Sequence, residues 1–299
     1  MTSAVAVGFI GLGQIGKPMA RRLTDWSGGL TVCDAVASIT ASFAALGAEV
    51  AATPAEVAEV ADVISVMVRD DAQVTDVLTG TDGILSTARA GTVVAVHSTV
   101  EPDTPARLAA IAAERGVELL DAPVSGGAMG AASGTLALMI GGSVEALERA
   151  RPPFDRLATL VAHLGPVGAG TRAKLARNLV TFASFAAAGE AMALAEASGV
   201  DLALLGEVVR HSDRVTGGPG SIVLGQSAGR LADDDGLHEL FAHTRDLGEK
   251  DLQLALALGA EVGVELPVAR LALSRLAEAL GVPPSSGAAR VASARGFEP

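Results

Sequence analysis

Short apolar runs and longer amphipathic stretches alternate along the first half of the chain. The apolar runs have the length of strands and lie at 4–10, 30–34, 48–51, 62–68, 92–97 and 117–121. The stretches between them have helical spacing, several open on Asp or Thr-Pro, and they lie at 14–26, 36–46, 54–61, 71–79 and 103–115. This alternation predicts βαβ units and a parallel, doubly wound sheet.

The pattern changes near residue 165. Before it, a helix over 143–157 separates two more candidate strands, 135–140 and 159–164. After it the apolar positions keep helical spacing, which predicts helices at 173–198, 201–210, 221–231, 238–262 and 267–280, with loops at 216–221 and 232–236. The sequence therefore predicts an α/β domain over 1–164 and an all-helical domain over 165–299, joined through a long helix.

The composition narrows the class of protein. Of the 299 residues, 49% are hydrophobic and 19% are charged, as in well-packed globular domains. The net charge of −12 is the reverse of the basic footprint of nucleic-acid-binding proteins, so we expect no nucleic-acid partner. The single cysteine, Cys33, excludes an internal disulfide and a cysteine-cluster metal site, and we expect no metal. The sequence has no tyrosine, which excludes a tyrosine proton donor.

Neither a membrane span nor a targeting segment is predicted. The longest uncharged run, 122–144, contains Pro123 and six glycines, and its apolar part is short, so we expect no membrane span. The N-terminus lacks the basic segment followed by an apolar core that marks a secretory signal. We therefore expect a cytoplasmic protein.

A glycine-rich loop follows the first predicted strand. Its residues fit the pattern G-x-G-x-x-G between a strand and a helix, and they are Gly11, Leu12, Gly13, Gln14, Ile15 and Gly16. In that pattern the first glycine permits a tight turn, the second lets backbone approach a pyrophosphate, and the third lets the helix pack against the strand. The loop predicts a Rossmann domain that binds a dinucleotide.

An acidic residue ends the second predicted strand. Asp34 lies eighteen residues beyond Gly16, where a carboxylate accepts hydrogen bonds from the adenosine ribose and repels a 2′-phosphate. The next three residues, 35–37, include no Arg or Lys that would bind that phosphate. NAD is therefore the expected cofactor, and NADP is disfavoured.

Two segments could supply substrate chemistry. Backbone N–H groups at Gly126 and Gly127, beside the Ser125 hydroxyl, could bind a carboxylate. The alternative is a Ser-Gly-Gly turn that reverses the chain and binds nothing. Lys174 and Asn178 lie four residues apart on one face of the long predicted helix, among apolar residues. The chain has only three lysines, and desolvation would prepare Lys174 for acid–base catalysis, whereas a lysine that extends to solvent is the alternative.

Five segments together resemble the β-hydroxyacid dehydrogenase family, in its 3-hydroxyisobutyrate dehydrogenase-like branch. They span nearly the whole chain in the family's order, and they are 11–20 (GLGQIGKPMA), 98–102 (STVEP), 121–127 (DAPVSGG), 168–178 (G-x-G-x₃-K-x₃-N) and 250–254 (KDLQL). The resemblance implies a Rossmann domain followed by a helical domain that forms the interface of a homodimer or homotetramer. It also implies NAD(P)-dependent interconversion of a small β-hydroxy acid and its semialdehyde or keto acid.

The resemblance also implies roles for individual residues. Lys174 would be the catalytic acid and base, and Asn178 would position the substrate. Ser125, Gly126 and Gly127 would hold the substrate carboxylate. The cofactor–substrate junction and the dinucleotide would be contacted by Thr99, Lys250, Met67 and Val68.

Three segments depart from the family's pattern. Arg69 stands where the family commonly has Pro, and His97 stands where an acid often precedes Ser-Thr. Residues 211–220, expected to form a loop that faces the substrate tail, match no branch of the family. The specific substrate therefore stays open.

Two other functions remain as alternatives. The first is a reductase of a small semialdehyde or imine in the same superfamily, although imine-reducing relatives generally lack the helix lysine. The second is a regulator that binds NAD(H) without turnover. Such a regulator would leave Lys174 and the Ser125 turn without a function.

Overall fold

The computed structural model describes residues 4–219 and 230–285. Contacts between residues divide the chain into two compact units, Met1–Arg177 and Asn178–Pro299. The domain boundary predicted at residue 164 stays a prediction.

The first unit is built on one sheet of nine described strands. They are β1 (Val7–Ile10), β2 (Leu30–Cys33), β3 (Glu49–Val50), β4 (Val63–Val66), β5 (Val93–Val96), β6 (Glu118–Asp121), β7 (Val124–Ser125), β8 (Leu136–Gly141) and β9 (Ala158–Gly165). The order is β3-β2-β1-β4-β5-β6-β8-β7, and β9 pairs with β8. Strands β1 to β6 run parallel, and β8 is antiparallel to both β6 and β7. The order of the first six strands is that of the Rossmann fold.

Helices cover both faces of this sheet. They are α1 (Gly16–Arg21), α2 (Ala37–Ala44), α3 (Pro54–Val60), α4 (Asp71–Thr79), α5 (Ile84–Thr87), α6 (Thr104–Ala113), α7 (Gly127–Ser133) and α8 (Val144–Phe154). Successive strand residues point to opposite faces, so Val93 and Ala95 of β5 join one apolar core while Val94 and Val96 join the other. The predicted doubly wound sheet is confirmed.

The hydrophobic pattern of the sequence does not predict three short elements of the first unit. Helix α5 lies in a stretch without a long apolar period, while β7 directly precedes the glycines of the Ser125 turn and α7 begins at the second of them. Gly126 and Gly127 have φ values of +130° and +62°, which only glycine adopts readily, and they turn the chain from β7 into α7. A two-residue strand and a seven-residue helix are too short to produce a clear periodicity.

The second unit consists of helices in its described part. Helix α9 (Ala169–Ala197) begins in the first unit and continues into the second, and the others are α10 (Leu202–Thr216), α11 (His238–Val262) and α12 (Pro267–Ala279). Phe241, Leu280 and Val282 form its small buried core. The predicted all-helical second domain is confirmed for the described residues.

The loop predicted over 211–220 is wrong for its first six residues. Residues 211–216 continue α10, and the helix stops at Gly217, whose φ of +86° is the left-handed conformation of a helix C-cap. The helix predicted over 221–231 lies outside the described residues, except for Arg230 and Leu231, which are not helical.

Candidate active site

The glycine loop joins β1 to α1 in a turn that leaves no room for side chains at two positions. Gly11 has a φ of +92°, and an added Cβ there would lie 2.3 Å from the Met67 carbonyl oxygen. A Cβ on Gly16 would lie 2.0 Å from the Gly11 carbonyl oxygen. Gly13 is exposed and would meet nothing within 4 Å. The loop is therefore closely packed at Gly11 and Gly16 and leaves open space at Gly13, where the diphosphate of a dinucleotide lies in a Rossmann domain.

Asp34 is held beside this loop by two backbone N–H groups. Leu12 donates to its Oδ2 at 2.6 Å and Val36 donates to its Oδ1 at 2.8 Å. These contacts fix the carboxylate at the carboxyl end of β2, where the adenosine ribose of a Rossmann-bound dinucleotide lies.

One cleft of about 860 Å³ joins these features. The residues that line it include Gly11, Gly13, Gln14, Ile15, Gly16, Asp34, Met67 and Val68. Leu12 is buried beneath the cleft and contributes its N–H to Asp34. Cys33 also lines the cleft, and burial, followed by the charges of Asp34 and Glu56, raises the pKa of its thiol to about 11, so the thiol stays protonated near neutral pH.

Sequence reasoning missed part of this cleft. Arg69, Gln73, Asp76 and Val77 also line it, from the β4–α4 loop and from α4. The signal that could have found them is their place in the chain, because residues that directly follow β4 lie at the same edge of the sheet as the glycine loop.

Ser98 joins the ends of β4 and β5 beside the cleft. Its hydroxyl donates to the Val68 carbonyl oxygen at 2.7 Å and accepts from the Val68 N–H at 3.0 Å. Thr99, the next residue, is exposed. Thr99 does not line the cleft, and it lies next to it only because it follows Ser98, which contacts Val68.

Lys174 lies next to the Ser125 turn. Its Nζ donates to the Val124 carbonyl oxygen at 2.6 Å, and Val124 directly precedes Ser125. The lysine is half-buried, and burial, with a smaller contribution from the like charge of Arg177, lowers the pKa of its ammonium group below the ordinary 10.5. The ammonium group is thus anchored to backbone and partly desolvated.

The turn itself presents backbone to solvent. Gly126 and Gly127 are exposed, Ser125 is half-buried, and an added Cβ on Gly127 would meet nothing within 4 Å. Ser125 belongs to β7, where it pairs with Ala137 of β8, so the turn rests on the sheet. The first unit therefore brings a lysine Nζ and a turn of polar backbone groups together.

The remaining predicted site residues belong to the second unit. Asn178 lies one turn beyond Lys174 on α9 and is half-buried, and Lys250 is exposed on α11. His211 and Arg214, which belong to the segment expected to face the substrate tail, are exposed on α10. Among residues 4–219 and 230–285, no group of three or more His, Cys, Asp or Glu side chains could hold a metal ion.

These features place the chain in the class of dinucleotide-binding proteins. They are the Rossmann sheet, the glycine loop, the fixed carboxylate of Asp34 after β2 and the open cleft. Two family models match the chain. Residues 6–165 match the "NAD binding domain of 6-phosphogluconate dehydrogenase", and residues 168–283 match "NAD-binding of NADP-dependent 3-hydroxyisobutyrate dehydrogenase".

The chain is also similar to individual proteins of known sequence or structure. The chain is 54% identical over 277 residues to an uncharacterized oxidoreductase of Mycobacterium tuberculosis, which covers 93% of this chain and 94% of that protein. It is 40% identical over 206 residues to the NAD-dependent L-serine dehydrogenase of Pseudomonas aeruginosa, with 69% of each chain covered. The solved structure of a Mycobacterium avium protein is similar with a TM-score of 0.89 and 51% identity, covering 93% of this chain and 99% of that one.

The chain belongs to the β-hydroxyacid dehydrogenase family, in agreement with its five motifs, and it is an oxidoreductase of the 3-hydroxyisobutyrate dehydrogenase type that binds a nicotinamide dinucleotide. An imine reductase from Myxococcus stipitatus shares the fold with a TM-score of 0.73 at 23% identity, covering 92% of this chain and 94% of that one. At that identity the likeness concerns the fold alone.

Proposed function

We propose that the protein oxidises a small 3-hydroxy acid to its semialdehyde or keto acid with NAD, using Lys174 as general base, and catalyses the reverse reduction with Lys174 as general acid. One observation carries this proposal. The half-buried Nζ of Lys174 is fixed on the carbonyl oxygen of Val124, beside the Ser125–Gly127 turn. A proton-transfer group and a carboxylate-binding turn are then adjacent.

The Ser125 hydroxyl and the N–H groups of Gly126 and Gly127 hold the substrate carboxylate in this mechanism. Neutral Lys174 takes the proton of the substrate hydroxyl, and the depressed pKa makes its neutral form available at lower pH. A bound NAD, which the glycine loop and Asp34 would hold, would supply the acceptor for the hydride that the substrate loses. The family resemblance would give Asn178 the role of orienting the substrate, and Thr99 and Lys250 the contacts at the cofactor–substrate junction.

NAD is favoured over NADP in this proposal because of Asp34. Its carboxylate is fixed at the ribose end of the cleft, and no cation follows in residues 35–37. We expect a higher kcat/KM with NAD, measured at saturating hydroxy acid. A preference for NADP would contradict the role given to Asp34.

The substrate class is tested with a panel of 3-hydroxy acids. Serine belongs in the panel because a relative that is 40% identical is named for L-serine, and hydroxyisobutyrate, hydroxypropionate, glycerate and threonate complete it. Formation of NADH is followed by absorbance. Binding of NADH without turnover of any member would favour a regulator, and turnover of imines alone would favour a reductase.

Substitution of Lys174 tests the mechanism. We expect Lys174→Ala to lower kcat by about 100- to 10,000-fold, the usual contribution of a general base, while the Kd for NADH stays unchanged. Lys174→Arg keeps the positive charge but cannot exchange its proton near neutral pH, so it should be equally inactive. In the wild type, kcat for oxidation should rise with pH through the pKa of Lys174. Turnover near the wild-type rate in either variant would remove lysine from the mechanism.

We also propose that the protein is a cytoplasmic homodimer or homotetramer. Helix α9 carries exposed apolar side chains, among them Leu179, Phe182 and Phe185 with 71%, 62% and 66% of their surface exposed. Leu204, Val208 and Val215 are exposed on one face of α10. Among the described helices, α9 is the one long and apolar enough to cross a membrane by length and composition. A second copy of the chain would cover these surfaces.

A further inference from the structure

A buried carboxylate lies at the start of α9 and has no part in the mechanism above. Asp121, the last residue of β6, has 1% of its surface exposed. Its Oδ1 accepts from the Gly168 N–H at 2.6 Å, and its Oδ2 accepts from the Thr171 N–H at 2.7 Å. Asp121 therefore caps α9 from a strand about fifty residues earlier in the sequence.

This contact requires close approach of backbone to the carboxylate. An added Cβ on Gly141 would lie 2.3 Å from Oδ1 of Asp121, and one on Gly170 would lie 2.2 Å from the Met139 carbonyl oxygen. Glycine at both positions lets the first turn of α9 reach the end of β6. A buried charge is tolerated here because both of its oxygens accept backbone N–H groups at the positive end of a helix.

Asp121 lies close in the chain or in the fold to both residues of the hydrogen bond between Lys174 and Val124. Lys174 lies three residues after Thr171, one turn along α9, while Val124 lies three residues after Asp121. The segment between Asp121 and Val124 is also held independently of α9, because the His97 ring donates to the Ala122 carbonyl oxygen at 2.8 Å and the Ala122 N–H donates to the Val96 carbonyl oxygen at 2.8 Å. A loss of the Asp121 carboxylate would therefore displace α9 rather than the segment.

We propose that Asp121 is a positioning residue, which sets the Nζ of Lys174 at Val124 and beside the Ser125–Gly127 turn. Its effect on turnover rests on the proposed function of Lys174. Its effect on the surroundings of the lysine does not depend on that function.

The test compares Asp121→Asn with a matched control, Glu190→Gln. The Asp121→Asn variant keeps one acceptor oxygen, but it turns an NH₂ group towards the second N–H donor. Glu190 makes the same kind of contact at a different helix, since its oxygens accept from the Val268 and Ala269 N–H groups at the start of α12, at 2.6 and 3.0 Å. Both variants remove one capping charge, so a general loss of stability is common to them.

The first measurement is independent of turnover. Acetylation of the amines is followed across pH by peptide mass spectrometry, and the three lysines of the chain give three separable signals. We expect the midpoint of Lys174 to rise towards the ordinary lysine value in Asp121→Asn, because the ammonium group loses its fixed, partly buried place. Lys17 and Lys250 are internal references, and all three midpoints should stay unchanged in Glu190→Gln.

The second measurement is steady-state turnover on the hydroxy acid that the panel identifies. We expect kcat of Asp121→Asn to fall about 100-fold, as a displacement of roughly 1 Å in a reacting group does, with the Kd for NADH unchanged. Glu190→Gln should keep the wild-type kcat. An unchanged Lys174 midpoint in Asp121→Asn, or equal midpoint shifts in both variants, would overturn the positioning role.

Two further outcomes are separable. A midpoint shift confined to Asp121→Asn in a protein that oxidises no hydroxy acid would support the positioning role and refute the proposed function. If Asp121→Asn does not fold, Gly141→Ala replaces it, because the added methyl group displaces the carboxylate without removing its charge. The same rise in the Lys174 midpoint is expected there, and its absence would overturn the proposal.

Discussion

His97 is a buried imidazole at the carboxyl end of β5, with 1% of its surface exposed, between the rings of Phe9 and Phe154. The Ala122 carbonyl oxygen can only accept, so Nδ1 carries the proton, and Nε2 accepts from the Ser65 hydroxyl at 3.0 Å. Both nitrogens of the neutral ring are satisfied. Burial lowers the pKa of His97 from 6.5 to about 4.

This histidine should make the folded protein sensitive to mild acid. Between pH 6.5 and about 4 the unfolded chain binds a proton at His97 that the folded protein does not, so the free energy of unfolding falls as pH falls through that range. Above pH 6.5 His97 is neutral in both states and the protein has its full free energy of unfolding. Below about pH 4 the free energy of unfolding is lower by about 3 kcal/mol, because the unfolded chain is protonated at His97 more readily than the folded protein. Urea unfolding at a series of pH values measures it.

His97→Gln is the matched variant for this measurement. A glutamine amide can also donate to Ala122 and accept from Ser65, but it does not titrate. The variant should therefore lose less stability than the wild type between neutral pH and pH 4, while carboxylates elsewhere contribute equally to both proteins. Parallel pH profiles for the two proteins would show that His97 does not cause the acid sensitivity.

At the scale of elements, the turn from β1 into α1 depends on glycine for space as well as for conformation. Gly16→Ala would place a methyl group 2.0 Å from the Gly11 carbonyl oxygen, and neither backbone can yield without moving the loop. We expect the Kd for NADH to rise about tenfold or more, the equivalent of about 1.4 kcal/mol of distortion.

The control for Gly16→Ala is Gly236→Ala, since an added Cβ at Gly236 meets nothing within 4 Å. Fluorescence titration with NADH measures both variants. Wild-type affinity in Gly16→Ala would contradict the role of this glycine in shaping the phosphate-binding loop.

Most elements of the first unit are predictable from the sequence. In the second unit, the end of α10 is not. The apolar runs predicted β1, β2, β4, β5 and β6 because strands buried on both faces are mostly apolar, and they also predicted the short, exposed β3. Residues 211–214, His-Ser-Asp-Arg, are polar, and the sequence pattern therefore predicts an end of α10 that is too early. Val215 continues the apolar face of Leu204 and Val208, however, and Gly217 then ends the helix. The apolar spacing and the glycine together were the better signal.

At the scale of the whole molecule, the exposed apolar face of α9 predicts self-association. The rings of Phe182 and Phe185 contact each other edge to face, with centroids 5.9 Å apart, and both remain exposed. We expect the double variant Phe182→Glu/Phe185→Glu to sediment as a smaller species than the wild type, because two charges would be buried without partners in an interface.

Val60→Glu is the control, since Val60 is also exposed, at 52%, but lies on α3 of the first unit. It should sediment like the wild type. A wild-type protein that sediments as a monomer at micromolar concentration would refute the proposed homo-oligomer.

The doubly wound sheet, the helical second half, the glycine loop and the acid after β2 could all be predicted from the sequence, since each of these depends on residues that are near neighbours in the chain. The motifs also determined the family. The contacts that hold Lys174 could not be predicted in this way and are seen only in the folded chain. The contacts of Lys174 with Val124 and of Asp121 with Thr171 each join residues fifty positions apart, and the contact of Asp121 with Gly168 joins residues forty-seven apart. No local pattern specifies such contacts, because they arise only when β6, β7 and α9 pack together.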